Sequence, residues 1–409
     1  MPSFSIALTG LQADSVALST IGNNLANLNT TAFKKQTVNF ADMFYQNIGT
    51  NGSNTQLQVG IGTRVSSIDS NFSQGNLSPT GTATDMAING NGFFVVKQAG
   101  TQQLTRTGNF QLSAGGDLIT SDGYGVQGYP ATNGTPNLDA PLQTMNIPIA
   151  KVQPARATTE FSVSTSLNAT SPVGSTFVAS PSIYDSLGGE HSVNITFTKT
   201  SANAWDYTVA LPAGQASGAS GNTGTLTFNS DGTLASPGPS ATSAISFTGL
   251  ANNASDLHLA WDLFDGGGNS LVTQAASAST TSANSQNGYA SGTYKSFAVD
   301  SSGLMTATYT NGGSEVLGQV AVANVSNPRS LTREGSNLYS VGAASGAIDV
   351  GVAGSGGRGS IAGSSLELSN VDISTEFANL IVAQRSFEAN SKTVTAFDTI
   401  TQDTINMIR

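Results

Sequence analysis

Apolar residues recur every seven positions toward each end of the chain and every second position through most of its middle. Phe4, Leu11, Leu18 and Leu25 form one row, with Ala7, Ile21 and Leu28 at the matching second position and only Asp14 breaking it. Toward the other end Leu366, Ile373, Leu380, Phe387, Val394 and Ile408 keep the same spacing, and Phe377, Ala383 and Phe397 widen the stripe. The spacing predicts helices over about 4–28 and from about 370 onward. A stripe of period 3.5 on a lone helix stays unburied unless another helix faces it. The two ends of this chain, or of neighbouring chains, are the expected partners, so the pattern points to assembly rather than chemistry. The expected polymerisation interface is Phe4, Leu11, Leu18, Ile21, Leu25, Leu28, Ile373, Phe377, Leu380, Phe387, Val394 and Phe397. Gly10 and Gly22 each cost roughly 1 kcal/mol relative to Ala in a helix interior. Such a helix is marginal alone.

From Asn76 the period falls to two. Met86 and Ile88 lead into Asn89-Gly90 and Asn91-Gly92, dipeptides that accept positive φ and so make tight turns. Phe93 to Val96 then reads as a buried strand. Phe161/Val163, Val193/Ile195/Phe197, Trp205/Tyr207/Val209/Leu211, Leu226/Phe228, Ile245/Phe247 and Leu257/Leu259/Trp261/Leu263 alternate, punctuated by Gly188-Gly189, Asp231-Gly232 and Gly266-Gly267-Gly268. Short strands bounded by such turns indicate a sandwich or barrel. Asn311-Gly312 predicts a hairpin between Met305–Tyr309 and Val316–Val325. Residues 29–75 read as a polar connector with small apolar clusters, and 342–365, almost wholly small, as a flexible spacer.

Composition narrows the class. At 409 residues the chain is too long for one ordinary core, and two or three domains are expected. Only 10% of its residues are charged, against about a quarter in ordinary globular proteins. The net charge is −10, and Lys34-Lys35 is the only adjacent basic pair, so no nucleic-acid partner is expected. There is no cysteine, which excludes disulfides, thiolate nucleophiles and Cys-ligated metals. The start, MPSFSIALTG, lacks the basic residues and continuous apolar core of a secretory signal. No run of about 18 apolar residues is present, so membrane insertion is not expected either. A cysteine-free, acidic chain rich in Ser, Thr, Asn and Gly nevertheless fits work outside the cell, which calls for an export route without a cleaved signal.

Candidate chemistry does not change this picture. His191 and His258 are the only histidines, with no partner at metal-binding spacing. No G-x-S-x-G occurs and no Gly precedes a Lys, so neither a nucleophile elbow nor a phosphate loop is present. Asp262, Asp265 and the glycines after them lack the closing Glu of a calcium loop. Gly351 to Gly363 carries only Arg358 as a charge. No catalytic, cofactor or metal site is expected.

The run Gly22-Asn23-Asn24-Leu25-Ala26-Asn27, continuing through Thr30-Thr31-Ala32-Phe33-Lys34, resembles the N-terminal signature of the bacterial flagellar rod and hook protein family, which usually has Gly in place of Ala32. Phe40-Ala41-Asp42-Met43-Phe44, Gln286-Asn287-Gly288-Tyr289 and Leu317-Gly318-Gln319 resemble its hook members in particular. Asn91-Gly92-Phe93-Phe94, Arg106-Thr107-Gly108-Asn109-Phe110 and Gly128-Tyr129-Pro130 match segments shared across the family. Ser369-Asn370-Val371-Asp372-Ile373 and Ile381-Val382-Ala383-Gln384-Arg385, with Glu388-Ala389-Asn390, match its most specific motif. The middle, about 146–285, is matched only in β character.

The resemblance implies a mainly β fold with terminal α-helices and nested β domains. A paired-helix, coiled-coil-like polymerisation domain would take 1–28 and 370–409, and a connector 29–71 and 355–369. An inner β domain would take 72–145 and 286–354, with an outer sandwich or barrel-like domain inserted at 146–285. It implies a structural subunit of the flagellar hook, a curved tube that passes motor torque from rod to filament around an export channel. The implied partners are other copies of the chain, the rod, hook-cap and hook–filament junction proteins, and the flagellar type III export apparatus. The implied location is extracellular, in the hook and basal body. A distal-rod or other axial subunit, and a surface adhesin-like β-protein, are the alternatives.

Overall fold

The computed structural model describes residues 2–50, 56–239 and 243–407, and Ile408 lies outside them. The chain divides into two compact units: Met1–Pro148 with Phe297–Ala307 and Glu315–Arg409, and Ile149–Ser296 with Thr308–Ser314.

The second unit is a β-sandwich. One sheet runs through Glu160–Asn168, with Leu257–Asp262 and Val272–Ala275 parallel to it and Thr280–Gln286 antiparallel. The other contains Thr176–Ala179, Asn194–Ser201, Ala204–Ala210 and Thr223–Phe228, all antiparallel. Alternate residues of both sheets fill one core, including Phe161, Phe197, Trp205, Tyr207, Leu226, Phe247 and Trp261. Phe161 stacks on Trp261 at 6.1 Å, and Tyr207 meets the same indole edge-on at 5.1 Å. Aromatic pairs in these geometries add stabilisation beyond the burial of their area. This unit follows the period-two reading closely.

The first unit holds both helices, α1 (Pro2–Ala26) and α2 (Ile373–Met407), and a β body. After α1 come β1 (Gln36–Asp42), β2 (Tyr45–Thr50), β3 (Gln56–Gly60) and β4 (Thr63–Ser70). β1 pairs with β4 and β2 with β3, so the expected connector is two antiparallel hairpins. β5 (Leu77–Pro79), β6 (Met86–Asn89), β7 (Phe93–Gln98) and β8 (Thr101–Thr105) follow. β7 pairs with β8, with Gly125–Thr132 and with Ser314–Val325, around a core of Phe93, Val95, Leu104, Tyr129, Ala321, Ala323 and Tyr339. The Asn311-Gly312 turn forms between Leu304–Tyr309 and Ser314–Val325, with Gly312 at φ 79°.

The expected spacer over 342–365 is instead sheet. Ile348–Val352 pairs with Ser314–Val325, Ser360–Gly363 with β6, and Ser365–Glu367 with β5. Within it Gly359 and Gly363 are required by close approach, since a Cβ on Gly363 would lie 2.6 Å from the Val299 carbonyl oxygen, while Gly354 serves a turn at φ 75°. The loop between these strands wraps Arg358, whose guanidinium donates to Asp349 Oδ2 at 2.7 Å and to the Val352 carbonyl at 3.1 Å.

Candidate functional site

α1 and α2 lie antiparallel: Asn24 donates to Glu376 Oε2 at 3.2 Å, and Asn390 donates to Asp14 Oδ2 at 2.9 Å. The buried residues of the two helices are small or polar, Ala7, Ala13, Thr20 and Asn24 on α1, which also packs on β1 and β4, and Glu376 and Ala383 on α2. Gly10 belongs to the seam between the helices, since a Cβ there would lie 2.7 Å from Asn390 Nδ2. Gly22 has nothing within 4 Å. The hydrogen bonds that join the helices are thus made by residues that a hydrophobic pattern does not mark.

The apolar rows are only partly covered. Phe4, Ile373, Phe377 and Phe387 are exposed, Phe377 by 50%. Leu11, Leu18, Ile21, Leu25, Leu28, Leu380, Val394 and Phe397 are half-buried. Ile381, Val382, Ile400 and Ile405 add further exposed apolar surface on α2. Phe4–Ala26 is also long and apolar enough to cross a membrane by length and composition alone, although Ser, Thr, Gly, Gln, Asp and Asn keep it from being an unbroken apolar run. Its buried Asn24 and its pairing with α2 suit a helix pair instead.

The roots of the two helices are joined side by side. The Ala32 amide donates to the Glu367 carbonyl at 2.8 Å, and the Lys35 amide to Asn370 Oδ1 at 2.8 Å. Asn370 Nδ2 donates onward to the carbonyls of Asn71 and Ser73. Ala32 takes a left-handed φ of 56°, the conformation that favours Gly at this position. Asp372 caps α2 by accepting the Thr375 amide at 2.7 Å. That bond is the main cause of the Asp372 carboxyl lying below its ordinary value. Asn24 both donates to the Gln36 carbonyl and accepts its amide, fixing the start of β1 against α1.

Beneath these roots is a buried ionic cluster. Lys34 Nζ lies 2.7 Å from Glu367 Oε1, with both side chains at 0% exposure, and Arg106 Nη1 lies 3.6 Å from Oε2. Burial pushes the Lys34 ammonium below its ordinary pKa against the pull of Glu367, and burial likewise lowers Arg106. Arg333 stacks over Phe33 at 5.3 Å and Tyr339 at 5.9 Å.

The motif residues thus divide. Asn23, Asn24, Asn27, Thr30, Phe33, Lys34, Asn370, Asp372 and Asn390 bond or stack within the unit. Val371 and Ala383 are buried, and Ala26 is exposed at the end of α1. Gln384, Arg385 and Glu388 are exposed on α2. Sequence reasoning missed Glu367, Glu376 and Arg333. Glu367 sits between Leu366 and Leu368 in a chain poor in charge, and that isolation was the available signal. Among the described residues no group of three or more His, Cys, Asp or Glu could hold a metal ion.

In chain order, residues 4–34 match the family described as Flagella basal body rod protein, and residues 87–166 the Flagellar hook protein FlgE/F/G D1 domain. Residues 154–289 match the Flagellar basal body protein FlaE D2 domain, and 362–407 the Flagellar basal body rod FlgEFG protein C-terminal. The chain is 35% identical to the flagellar hook protein FlgE of Salmonella typhimurium, covering 99% of this chain and 100% of the relative. It belongs to the flagellar hook protein family. The hook protein of Escherichia coli is 33% identical over 99% of each chain, and that of Treponema pallidum 31% over all of both. The crystal structure of Helicobacter pylori FlgE2 shares the fold at a TM-score of 0.50 and 14% identity, covering 69% of this chain and 98% of that one. The signature residues at the two ends of the chain therefore fall on the helix pair and its roots, whereas Gln286-Asn287-Gly288-Tyr289 lies at the edge of the sandwich unit.

Proposed function

We propose that the chain is the structural subunit of the bacterial flagellar hook, polymerising through its terminal helices into a curved tube. The tube passes torque from rod to filament and encloses the export channel. The observation that carries this reading is the exposed apolar surface of α1 and α2. Full-length similarity to proteins named flagellar hook protein supports the hook over a rod subunit. A head-to-tail contact whose rotation does not close yields a helical filament. The nested division into terminal, connecting, inner and outer domains belongs to this proposal, as does the assignment of the stripe residues to the subunit interface.

The rod, hook-cap and junction proteins are the proposed neighbours of the assembled tube. The chain leaves the cell through the flagellar type III apparatus with no cleaved signal, and neither catalysis nor a cofactor is assigned to it. Electron microscopy of the polymerised protein tests the reading. Curved tubes that change shape with temperature or salt are expected. Tubes that stay straight under every condition, or no tubes, contradict it.

A further inference from the structure

We propose that Glu367 is a positioning residue that couples the seating of the two helix roots, so that neither root is held on the β body without the other. The proposal deepens the hook reading, because it names what sets the place from which both assembly helices leave. Lys34 and Glu367 are 333 residues apart in sequence, yet they meet at 2.7 Å in full burial. The same carboxylate oxygen accepts the Gly75 amide at 2.8 Å, and Lys34 Nζ also donates to the Ser73 carbonyl at 2.8 Å. Through its backbone carbonyl Glu367 holds the Ala32 amide. Three segments, 32–35, 73–75 and 364–370, therefore converge on one side chain.

Arg106 supplies the anchor to the β body. Its guanidinium donates to the carbonyls of Ile88 at 3.2 Å and Gly90 at 2.7 Å while facing Glu367 Oε2. The cluster thus holds two buried cations against one carboxylate. Removing one partner of a buried pair leaves an uncompensated charge, which is strongly destabilising. Here the loss of Glu367 strands both cations, and the local way to rehydrate them is to unseat the roots. α1 ends shortly before Lys34 and α2 begins shortly after Glu367, so an unseated root frees a helix from its partner.

The test uses the full chain, unpolymerised, with Glu367→Gln and Glu367→Asp. Amide hydrogen exchange is followed at Ala32, Lys35 and Gly75 and at Val209 and Phe228 in the sandwich. Glu367→Gln is expected to speed exchange at the root amides at least tenfold and leave the sandwich unchanged. Its polymerisation should slow at least tenfold, and Glu367→Asp, which keeps the charge, should recover part of both effects. Unchanged root protection in Glu367→Gln, or an Asp variant no better than the Gln one, overturns the proposal. Should Glu367→Gln unfold the whole unit, Asn370→Ala opens the same junction without stranding a buried charge. Selective loss of protection at Lys35 and Ala32 is expected there, and uniform or absent loss overturns the coupling. Failure of the unsubstituted chain to polymerise sinks the hook reading alone, since the exchange measurement does not depend on polymers.

Discussion

The sandwich of 149–296 and the helix pair spend their apolar residues in opposite ways. In the sandwich Trp205, Trp261, Phe161 and Phe197 are buried to within 1% of completion, and on Ala204–Ala210 the outward positions are Asp206 and Thr208. On the helices alanine, threonine and asparagine are buried while Phe377, Ile381 and Val382 face outward. Each fully buried large side chain stabilises by about 1.5–3 kcal/mol. The sandwich collects that term within one chain, whereas on the proposed reading the helices would leave much of it to association, less the ordering costs. One region is finished by its own sequence, and the other, on the proposed reading, would be completed by copies of the chain.

The largest effect that separates the two comes from removing a phenyl ring from each. Phe161→Ala should destabilise the sandwich by about 3–5 kcal/mol, through lost transfer energy and a cavity beside Trp261. Both tryptophans lie in the sandwich, so urea unfolding read by their fluorescence reports it directly. Phe377→Ala should change monomer stability by no more than about 0.5 kcal/mol, as an exposed position does. It should nevertheless lengthen or abolish polymerisation in a sedimentation assay. Equal stability losses in the two variants break the comparison.

Acid should sharpen it further. Asp185 is fully buried, which by itself raises its carboxyl. Hydrogen bonds from His191, Asn252 and the Gly189 and Leu187 amides outweigh burial and hold it below the ordinary value. A carboxylate with a lowered folded-state pKa contributes stability that is complete above its unfolded value, about 3.9, and lost as pH falls through the folded one. The sandwich should therefore lose stability below about pH 4, and Asp185→Asn should flatten that dependence. Tryptophan fluorescence against pH checks both.

A smaller effect divides the helix glycines. Gly22→Ala fills open space and should strengthen the polymer by about 1 kcal/mol from helix propensity. Gly10→Ala drives a methyl group against Asn390 and should weaken it. The dissociation temperatures of the two polymers give the comparison, and a gain from Gly10→Ala contradicts the seam.

How much of this was legible follows from the kind of residue involved. Trp205, Tyr207 and Val209 alternate against polar neighbours, so strand, face and core were readable together. The terminal helices were readable from their seven-residue rows. Their seam was not, because Ala13, Thr20, Glu376 and Asn390 carry no hydrophobic signal. Glu367 inverts the usual rule outright, being buried while Leu368 beside it is 47% exposed. Strand 360–363 was hidden for a steric reason, and strand 365–367 because Leu366 fits the seven-residue row. Where backbones approach this closely only small residues fit, and small residues read as spacer.

The division of labour is tested most directly by a chain reduced to 27–372, which keeps Lys34, Glu367 and Asn370 and discards both helices. Sedimentation and electron microscopy would set it beside the full-length protein, with circular dichroism to follow its unfolding. The account predicts a soluble, β-rich monomer that unfolds cooperatively and forms no tubes at any concentration where the full chain does. A reduced chain that still polymerises, or that has lost its β structure, would contradict it.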